Sequence, residues 1–320
     1  MVPLIEVRVR RSLTLLAVLT LLPIAAQSQA LTPAAPDPRS PLFVTTGWLA
    51  QHLHDANLVL LHVGDPKEYP AAHIPGARFV STADVSFSGA ASKGLTLEMP
   101  SPDSLRARLA ALGISDGSRV VLYYGKDWVS PTTRILLTLT FAGLGDSTSV
   151  LDGGMGAWTS DGHQVTADVP EPHAGNLSPL KIRNFVVDAD FVKSMIGKPG
   201  VSIVDARDTA FYNGSRAGGS PSAPHRSGHI AGAKSVPFST LTDESLRVRP
   251  AKALAEAFAA AGVGPNDVVI GYCHIGQQAT AMLTAARSLG HSVLLYDGSF
   301  QDWSARTDLP VETGAPRKAP

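Results

Sequence analysis

The chain has 320 residues, of which 44% are hydrophobic and 17% charged, and these proportions exclude a globally disordered protein. Basic and acidic residues number 27 each, so the formal net charge is zero and the composition does not indicate a nucleic-acid binder. The length predicts about two domains.

Residues 1–30 have the features of a secretory signal peptide. Arginines at positions 8, 10 and 11 precede the apolar run 12–26, and residues 28–30 (SQA) place small residues where a signal peptidase reads. The apolar run is short for a membrane span. We expect cleavage after Ala30, export to the periplasm or the medium, and no membrane attachment after cleavage. An uncleaved anchor is the alternative, and the export route (general secretory or twin-arginine) stays open.

The rest of the chain consists of two halves with the same order of segments, which indicates an internal duplication. The matching segments are 58–69, 71–80, 118–125 and 149–158 in the first half and 201–212, 227–236, 266–273 and 294–303 in the second. We therefore predict one domain over 42–165 and a second over 185–313. The linker 166–184 between them is rich in proline, glycine and polar residues.

Each half alternates short β-branched runs with helical patterns. Runs such as LVLLHV (58–63) and VSIVDA (201–206) are typical of buried parallel strands. The segments LRARLAALG and AKALAEAFAAAG carry apolar residues at helical spacing and end in glycine. This alternation predicts an α/β fold in which each domain has a central parallel β-sheet flanked by α-helices.

The second half contains an insertion, NGSRAGGSPSAPHR (213–226), where the first half has two residues. The insertion is either a disordered surface loop or a lid over a substrate site. The second interpretation depends on its place between two motif-bearing segments and on its basic side chains, Arg216, His225 and Arg226.

Cys273 is the only cysteine, so the chain has no disulfide framework of its own. It follows the predicted strand VVIGY and precedes a helix that we expect to begin near Ala279. Ligand sites in parallel sheets form at the carboxyl ends of the strands, and amide groups at a helix N-terminus stabilise a thiolate. We interpret Cys273 as a nucleophile, with a buried structural cysteine as the alternative.

The paired halves, VDAR, GHIAGA, the cysteine loop and DGSFQDW together resemble the tandem two-domain rhodanese sulfurtransferases, from about residue 42 to 312. The resemblance implies one inactive domain and one active domain. It implies that Cys273 takes a sulfur atom from thiosulfate or 3-mercaptopyruvate as a persulfide and passes it to cyanide or a thiol. Such a reaction requires neither a cofactor nor a metal. The alternative is a non-enzymatic persulfide carrier that delivers sulfur to a protein partner.

Main-chain amides of the loop after Cys273 are expected to hold the persulfide anion, as an oxyanion hole would. The residues of this loop are His274, Ile275, Gly276, Gln277, Gln278 and Ala279. A phosphatase on a related fold would need an arginine at position 279, so phosphatase activity is not expected.

Alignment of the halves indicates which one is active. Aligning SRVVLYYG with NDVVIGYC puts Gly125 opposite Cys273, and the preceding strands put His62 and Gly64 opposite Asp205 and Arg207. The first half therefore lacks the thiol, the carboxylate and the guanidinium together and is predicted to be inactive. Asp205 and Arg207 either orient the loop or, as we favour, form a structural ion pair.

The sequence does not identify the sulfur donor, because the loop Cys-His-Ile-Gly-Gln-Gln matches neither the thiosulfate-preferring nor the mercaptopyruvate-preferring pattern of the family. His274 is a weak cation or a proton donor in this interpretation. Phe211 occupies the position at which many members have arginine, so Arg216 and Arg226 are candidate substitutes for donor binding. The sequence leaves the acceptor and the oligomeric state undetermined.

Overall fold

The computed structural model describes residues 42–89, 94–126 and 129–314. The predicted signal peptide lies outside these ranges. The first half contains β1 (Phe43–Val44), α1 (Thr46–His52), β2 (Leu58–Val63), β3 (Arg78–Phe79), α2 (Pro102–Ala111), β4 (Arg119–Tyr124), α3 (Val129–Phe141), β5 (Thr148–Leu151) and α4 (Gly154–Ser160). Short 3-10 helices cover Thr82–Val85 and Gly145–Ser147.

The second half repeats this order and adds one short helix and four two-residue strands. It contains β6 (Val186–Val187), α5 (Ala189–Met195), β7 (Val201–Asp205), α6 (Thr209–Tyr212), β8 (Gly219–Ser220), β9 (Ala223–Pro224), β10 (His229–Ile230), β11 (Lys234–Ser235), α7 (Ala251–Ala260), β12 (Val268–Tyr272), α8 (Gln278–Ser288), β13 (Val293–Tyr296), α9 (Ser299–Ala305) and β14 (Val311–Glu312). A 3-10 helix covers Phe238–Thr240.

The two main sheets have the same topology. In the described part of the chain, the first sheet has the strand order β1-β5-β4-β2-β3 and the second has the order β6-β13-β12-β7-β11, and every pairing in them is parallel. The prediction of two α/β domains with central parallel sheets is confirmed.

Side chains alternate between the two faces of each sheet. In β4, Leu122 and Tyr124 belong to the apolar cluster on one face, and Tyr123 belongs to the cluster on the other. At the end of β12, Tyr272 and Cys273 face opposite clusters in the same way. This alternation follows from the two-residue repeat of a strand.

The strand register corrects the alignment of the halves. His62 pairs with Tyr123 across β2 and β4, whereas Asp205 pairs with Tyr272 across β7 and β12. The Tyr123 hydroxyl accepts the Ile74 amide at 3.0 Å, and the Tyr272 hydroxyl accepts the Ile230 amide at 3.1 Å. Tyr123 is therefore the counterpart of Tyr272, so Tyr124, not Gly125, occupies the place of Cys273.

The insertion 213–226 is ordered around a two-stranded antiparallel hairpin, β8–β9, in which Gly219 pairs with Pro224. It is not the disordered loop of the first interpretation, and its role as a lid stays a prediction. Separately, the described residues include no helix with both the length and the apolar character needed to cross a membrane.

Candidate active site

Cys273 lies at the carboxyl end of β12 and is completely buried. Its amide donates to the Ser299 hydroxyl oxygen at 3.2 Å, and its carbonyl oxygen accepts the Phe300 amide at 3.0 Å. Both main-chain groups of Cys273 are thus held by the first residues of α9. These two hydrogen bonds fix the main chain of Cys273 at the point where the strand ends and the loop begins.

The loop after Cys273 leads directly into α8, which begins at Gln278, one residue before the predicted start. Gly276 has a φ of +76°, a conformation that favours glycine. The first amide groups of a helix have no partner inside it and carry partial positive charge. The loop and the beginning of α8 therefore place the predicted amide donors next to Cys273 in the chain.

Asp205 and Arg207 form a buried ion pair beside the cysteine. Arg207 Nη2 lies 2.5 Å from Asp205 Oδ2 and donates at 2.7 Å to the Gly228 carbonyl, and Asp205 Oδ2 accepts the Tyr272 hydroxyl at 2.7 Å. Burial by itself lowers the pKa of Arg207, but the Asp205 carboxylate outweighs burial and raises it above its usual value. The pair connects two strand ends, as a structural ion pair does.

A pocket of about 470 Å³ lies against the cysteine loop. His274 and Ile275 form part of its wall, and the insertion contributes Arg216 and His225 to the same wall. The Arg216 guanidinium lies 4.8 Å from the centre of the Phe211 ring. The structure therefore brings Arg216 and two residues of the predicted loop together at one pocket.

The two histidines of the pocket are neutral at neutral pH. Burial, and after it the charge of Arg207, lowers the pKa of His274 to about 4. The same two causes lower the pKa of His225. The expectation that His274 acts as a weak cation is therefore corrected: its imidazole is uncharged where the reaction would run.

Arg226 is not part of the pocket. Its guanidinium donates to the carbonyl oxygens of Trp303, Ser304, Arg306 and Leu309 at 2.8 to 3.2 Å. These groups lie at the end of α9 and just after it, where helix carbonyls lack partners inside the helix. Arg226 caps this helix end, and the expectation that it binds the donor is corrected.

Two residues near Cys273 were missed by the sequence analysis. Ser299 is fully buried and has a φ of +50°, which is unusual for a residue other than glycine. Arg134 of α3 is also fully buried and forms an ion pair with Asp297 at 2.5 Å. The one signal in the sequence was the glycine at the equivalent position of the first half, Gly154, whose φ in the structure is +54°.

The described residues include no group of three or more His, Cys, Asp or Glu side chains arranged to hold a metal ion.

Comparison with known proteins identifies the fold. The rhodanese-like domain family matches residues 45–161 and 188–306, within the two predicted domains. A relative from Synechococcus elongatus, assigned by its name to the thiosulfate sulfurtransferases, is 31% identical over 300 residues, 90% of each chain. The 3-mercaptopyruvate sulfurtransferase of Escherichia coli K12 is 28% identical over 84% of this chain and 97% of its own. The crystal structure of YnjE has a TM-score of 0.74 and 25% identity, over 86% of this chain and 68% of that chain.

Proposed function

The chain belongs to the rhodanese family, with two copies of its domain, and from this premise we propose that it is a sulfurtransferase that works through a persulfide on Cys273. One observation carries the proposal. The only cysteine lies at the carboxyl end of a central strand of the second domain, directly before the loop and the N-terminus of α8. The names of the relatives support a transferase and do not favour a non-enzymatic carrier.

The reaction proceeds in two displacements at Cys273. The thiolate attacks the outer sulfur of the donor, a new S–S bond forms, and the bond from that sulfur to the rest of the donor breaks. With thiosulfate as donor, the leaving group is sulfite. With 3-mercaptopyruvate, the leaving group is the enolate of pyruvate, which takes up the former thiol proton at carbon. An acceptor thiolate or cyanide then attacks the outer sulfur of the persulfide and restores the Cys273 thiolate.

The persulfide carries a negative charge while it waits for the acceptor. Main-chain amides of the loop 274–279 and the N-terminal end of α8 provide partial positive charge for that anion. Burial of Cys273 limits the access of water to the intermediate. The charged pair Asp205–Arg207 contributes by fixing the adjoining strand ends and not by direct contact with the donor.

The charge of the pocket favours 3-mercaptopyruvate over thiosulfate as donor. Among the described residues that line it, Arg216 is the one cationic side chain. Arg207 is already paired with Asp205, and His225 and His274 are neutral. One cation balances the single negative charge of a monoanionic 2-oxo acid. It would leave one of the two negative charges of thiosulfate without a partner.

Mass spectrometry of the intact protein tests the proposed chemistry. After incubation with 3-mercaptopyruvate or with thiosulfate, Cys273 gains one sulfur atom, and cyanide removes it. Cys273→Ser gains none and loses turnover, and a Cys273→Ser variant with full turnover would contradict the mechanism. Failure of both donors to load the wild-type protein, with sulfur delivered only by a protein partner, would favour the carrier instead.

The donor preference is tested by Arg216→Gln. The pocket charge predicts a KM for 3-mercaptopyruvate roughly tenfold higher in this variant, because one charge-assisted contact is lost. Arg183→Gln is the matched control, since Arg183 is an exposed arginine paired with Asp146 and lies outside the lining of the pocket. An unchanged KM in Arg216→Gln, or a wild-type preference for thiosulfate, would contradict the assignment.

We also propose that the protein is exported to the periplasm or the medium. The support is the sequence alone: the arginines at positions 8, 10 and 11, the apolar run 12–26 and the small residues at 28 and 30. N-terminal sequencing of the mature protein from a fractionated host tests this. A first residue at Leu31 in the periplasmic or extracellular fraction agrees with it, and an intact N-terminus in the cytoplasm does not.

A further inference from the structure

Each half extends one short segment onto the strand ends of the other. Leu97 and Leu246 have φ values of +62° and +59° although neither is glycine. Two residues later, the Met99 amide donates to Asp297 at 2.8 Å, and the Val248 amide donates to Asp152 at 2.8 Å. Asp297 and Asp152 follow equivalent strands, so the two crossings are counterparts of each other.

The carbonyl groups of the two leucines are bound in different ways. The Tyr124 hydroxyl donates to the Leu246 carbonyl at 2.6 Å. The counterpart of Tyr124 is Cys273, which has no hydroxyl to offer to Leu97. Instead, Nη2 of Arg134 donates to the Leu97 carbonyl. A residue of the first half thus makes the contact that the cysteine cannot make.

Arg134 also reaches the loop that follows the cysteine. Its Nη1 lies 2.5 Å from Asp297 Oδ1 and 3.4 Å from the Gly276 carbonyl oxygen. A Cβ atom at Gly276 would lie 3.1 Å from Arg134 Nη1 and 2.8 Å from the Asp297 carbonyl oxygen. The loop therefore packs closely against this arginine, and glycine at position 276 permits the approach.

The contact with Gly276 fixes one of the loop amides. A trans peptide is planar, and its C=O and N–H point in opposite directions. Holding the Gly276 carbonyl toward Arg134 therefore turns the Gln277 amide away from Arg134. Gln277 belongs to the set of loop amides that the proposed function assigns to the sulfur anion.

We propose that Arg134 is a positioning residue for the persulfide loop, supplied by the first half to the reactive loop of the second. This inference rests on the proposed function. Arg134 touches no reacting atom, and it acts by setting the orientation of the Gly276–Gln277 peptide. The first half thereby contributes to the chemistry although it has no cysteine of its own.

The test compares Arg134→Met and Arg134→Lys with a matched control, Arg287→Met. Arg287 of α8 also contacts the first half, at Thr140 and Asp146, but has no contact with the loop. Two quantities are measured: the rate of persulfide formation, and the pH dependence of Cys273 alkylation by iodoacetamide. We expect Arg134→Met to load sulfur roughly tenfold more slowly and to require a higher pH for alkylation. Arg134→Lys restores part of both, and Arg287→Met changes neither.

The outcomes separate this inference from the proposed function. If the wild-type protein gains no sulfur, the proposed function fails whatever Arg134 does. If the wild-type protein is loaded but Arg134→Met keeps the wild-type rate and alkylation profile, the positioning role is overturned. Should Arg134→Met not fold, Arg134→Lys and the double variant Arg134→Met/Asp297→Asn, which removes the unpaired carboxylate, take its place. A wild-type alkylation profile in the double variant overturns the inference.

Discussion

The strands that end at Tyr124 and just before Cys273 occupy the same place in their sheets. The space beyond the two strand ends, however, is occupied by side chains of different size. In the first half, the Tyr124 phenol fills that space and bonds to the Leu246 carbonyl and the Gly153 amide at 2.6 and 2.9 Å. In the second half, the small side chain of Cys273 lies there, and the hydroxyl of Ser299 accepts the Cys273 amide. In the first half this space is therefore filled by a larger residue and not left empty.

This difference extends to the neighbouring positions. A Cβ atom at Gly154 would lie only 2.4 Å from the Tyr124 carbonyl oxygen, so the first half needs glycine there. The second half accepts Ser299 at the equivalent position. On the adjoining strand of the first half, Nδ1 of His62 is hydrogen-bonded to the Tyr123 hydroxyl at 3.0 Å. At the equivalent place in the second half, the Tyr272 hydroxyl donates to Asp205. The two ends therefore differ as sets of mutually adjusted residues.

The largest effect is expected from breaking the ion pair that the first half lacks. Asp205→Asn leaves Arg207 buried without its carboxylate, and we expect the free energy of unfolding to fall by about 3 kcal/mol. The double variant Asp205→His/Arg207→Gly, which copies the first half, removes both charges and should be less destabilised than the single variant. Denaturant unfolding measures both. A single variant as stable as the wild type would show that the pair is dispensable.

Much of this comparison was available from the sequence, and the part that was not has identifiable causes. The duplication, the parallel strands and the position of Cys273 followed from apolar runs and repeated motifs. The alignment slipped by one residue because SRVVLYYG contains two adjacent tyrosines, and the strand register and the hydroxyl bond to Ile74 show which of them corresponds to Tyr272.

Contacts between distant parts of the chain could not be predicted from the sequence. Arg226 lies in the insertion that contributes Arg216 and His225 to the pocket, yet its guanidinium bonds to the end of α9. Arg134 lies in a helix of the first half and reaches Gly276 in the second. No periodicity or local motif encodes either partner, because each depends on how two separate elements pack.

A smaller effect is expected from the buried histidines of the two halves. Burial is the main cause that lowers the pKa of both His62 and His274 to about 4, whereas an unfolded histidine titrates near 6.5. Between these values the unfolded chain binds more protons than the folded one. The contribution of these two histidines to the free energy of unfolding is therefore fully present above pH 6.5 and is lost as the pH falls toward 4.

Replacement of one buried histidine tests this pH dependence. Between pH 7 and pH 5.5, His62→Asn should lose about 1 kcal/mol less stability than the wild type, since one titrating group is gone. His274→Asn should behave in the same direction. His54→Asn serves as the control, because His54 is exposed. Denaturant midpoints at the two pH values supply the comparison, and identical acid losses in His62→Asn and the wild type would contradict a lowered pKa.

The smallest effect is expected at Ser299, where a hydrogen bond and backbone strain oppose each other. Ser299→Gly, the residue of the first half, loses the contact with the Cys273 amide but relieves the positive φ, so stability should change by less than about 1 kcal/mol. Ser299→Ala loses the same contact and keeps the strain, so it should be the less stable of the two by about 1 kcal/mol. If the hydroxyl matters for the thiol, both variants should load sulfur on Cys273 equally slowly despite their different stabilities. Loading rates that follow stability instead would show that Ser299 only supports the fold.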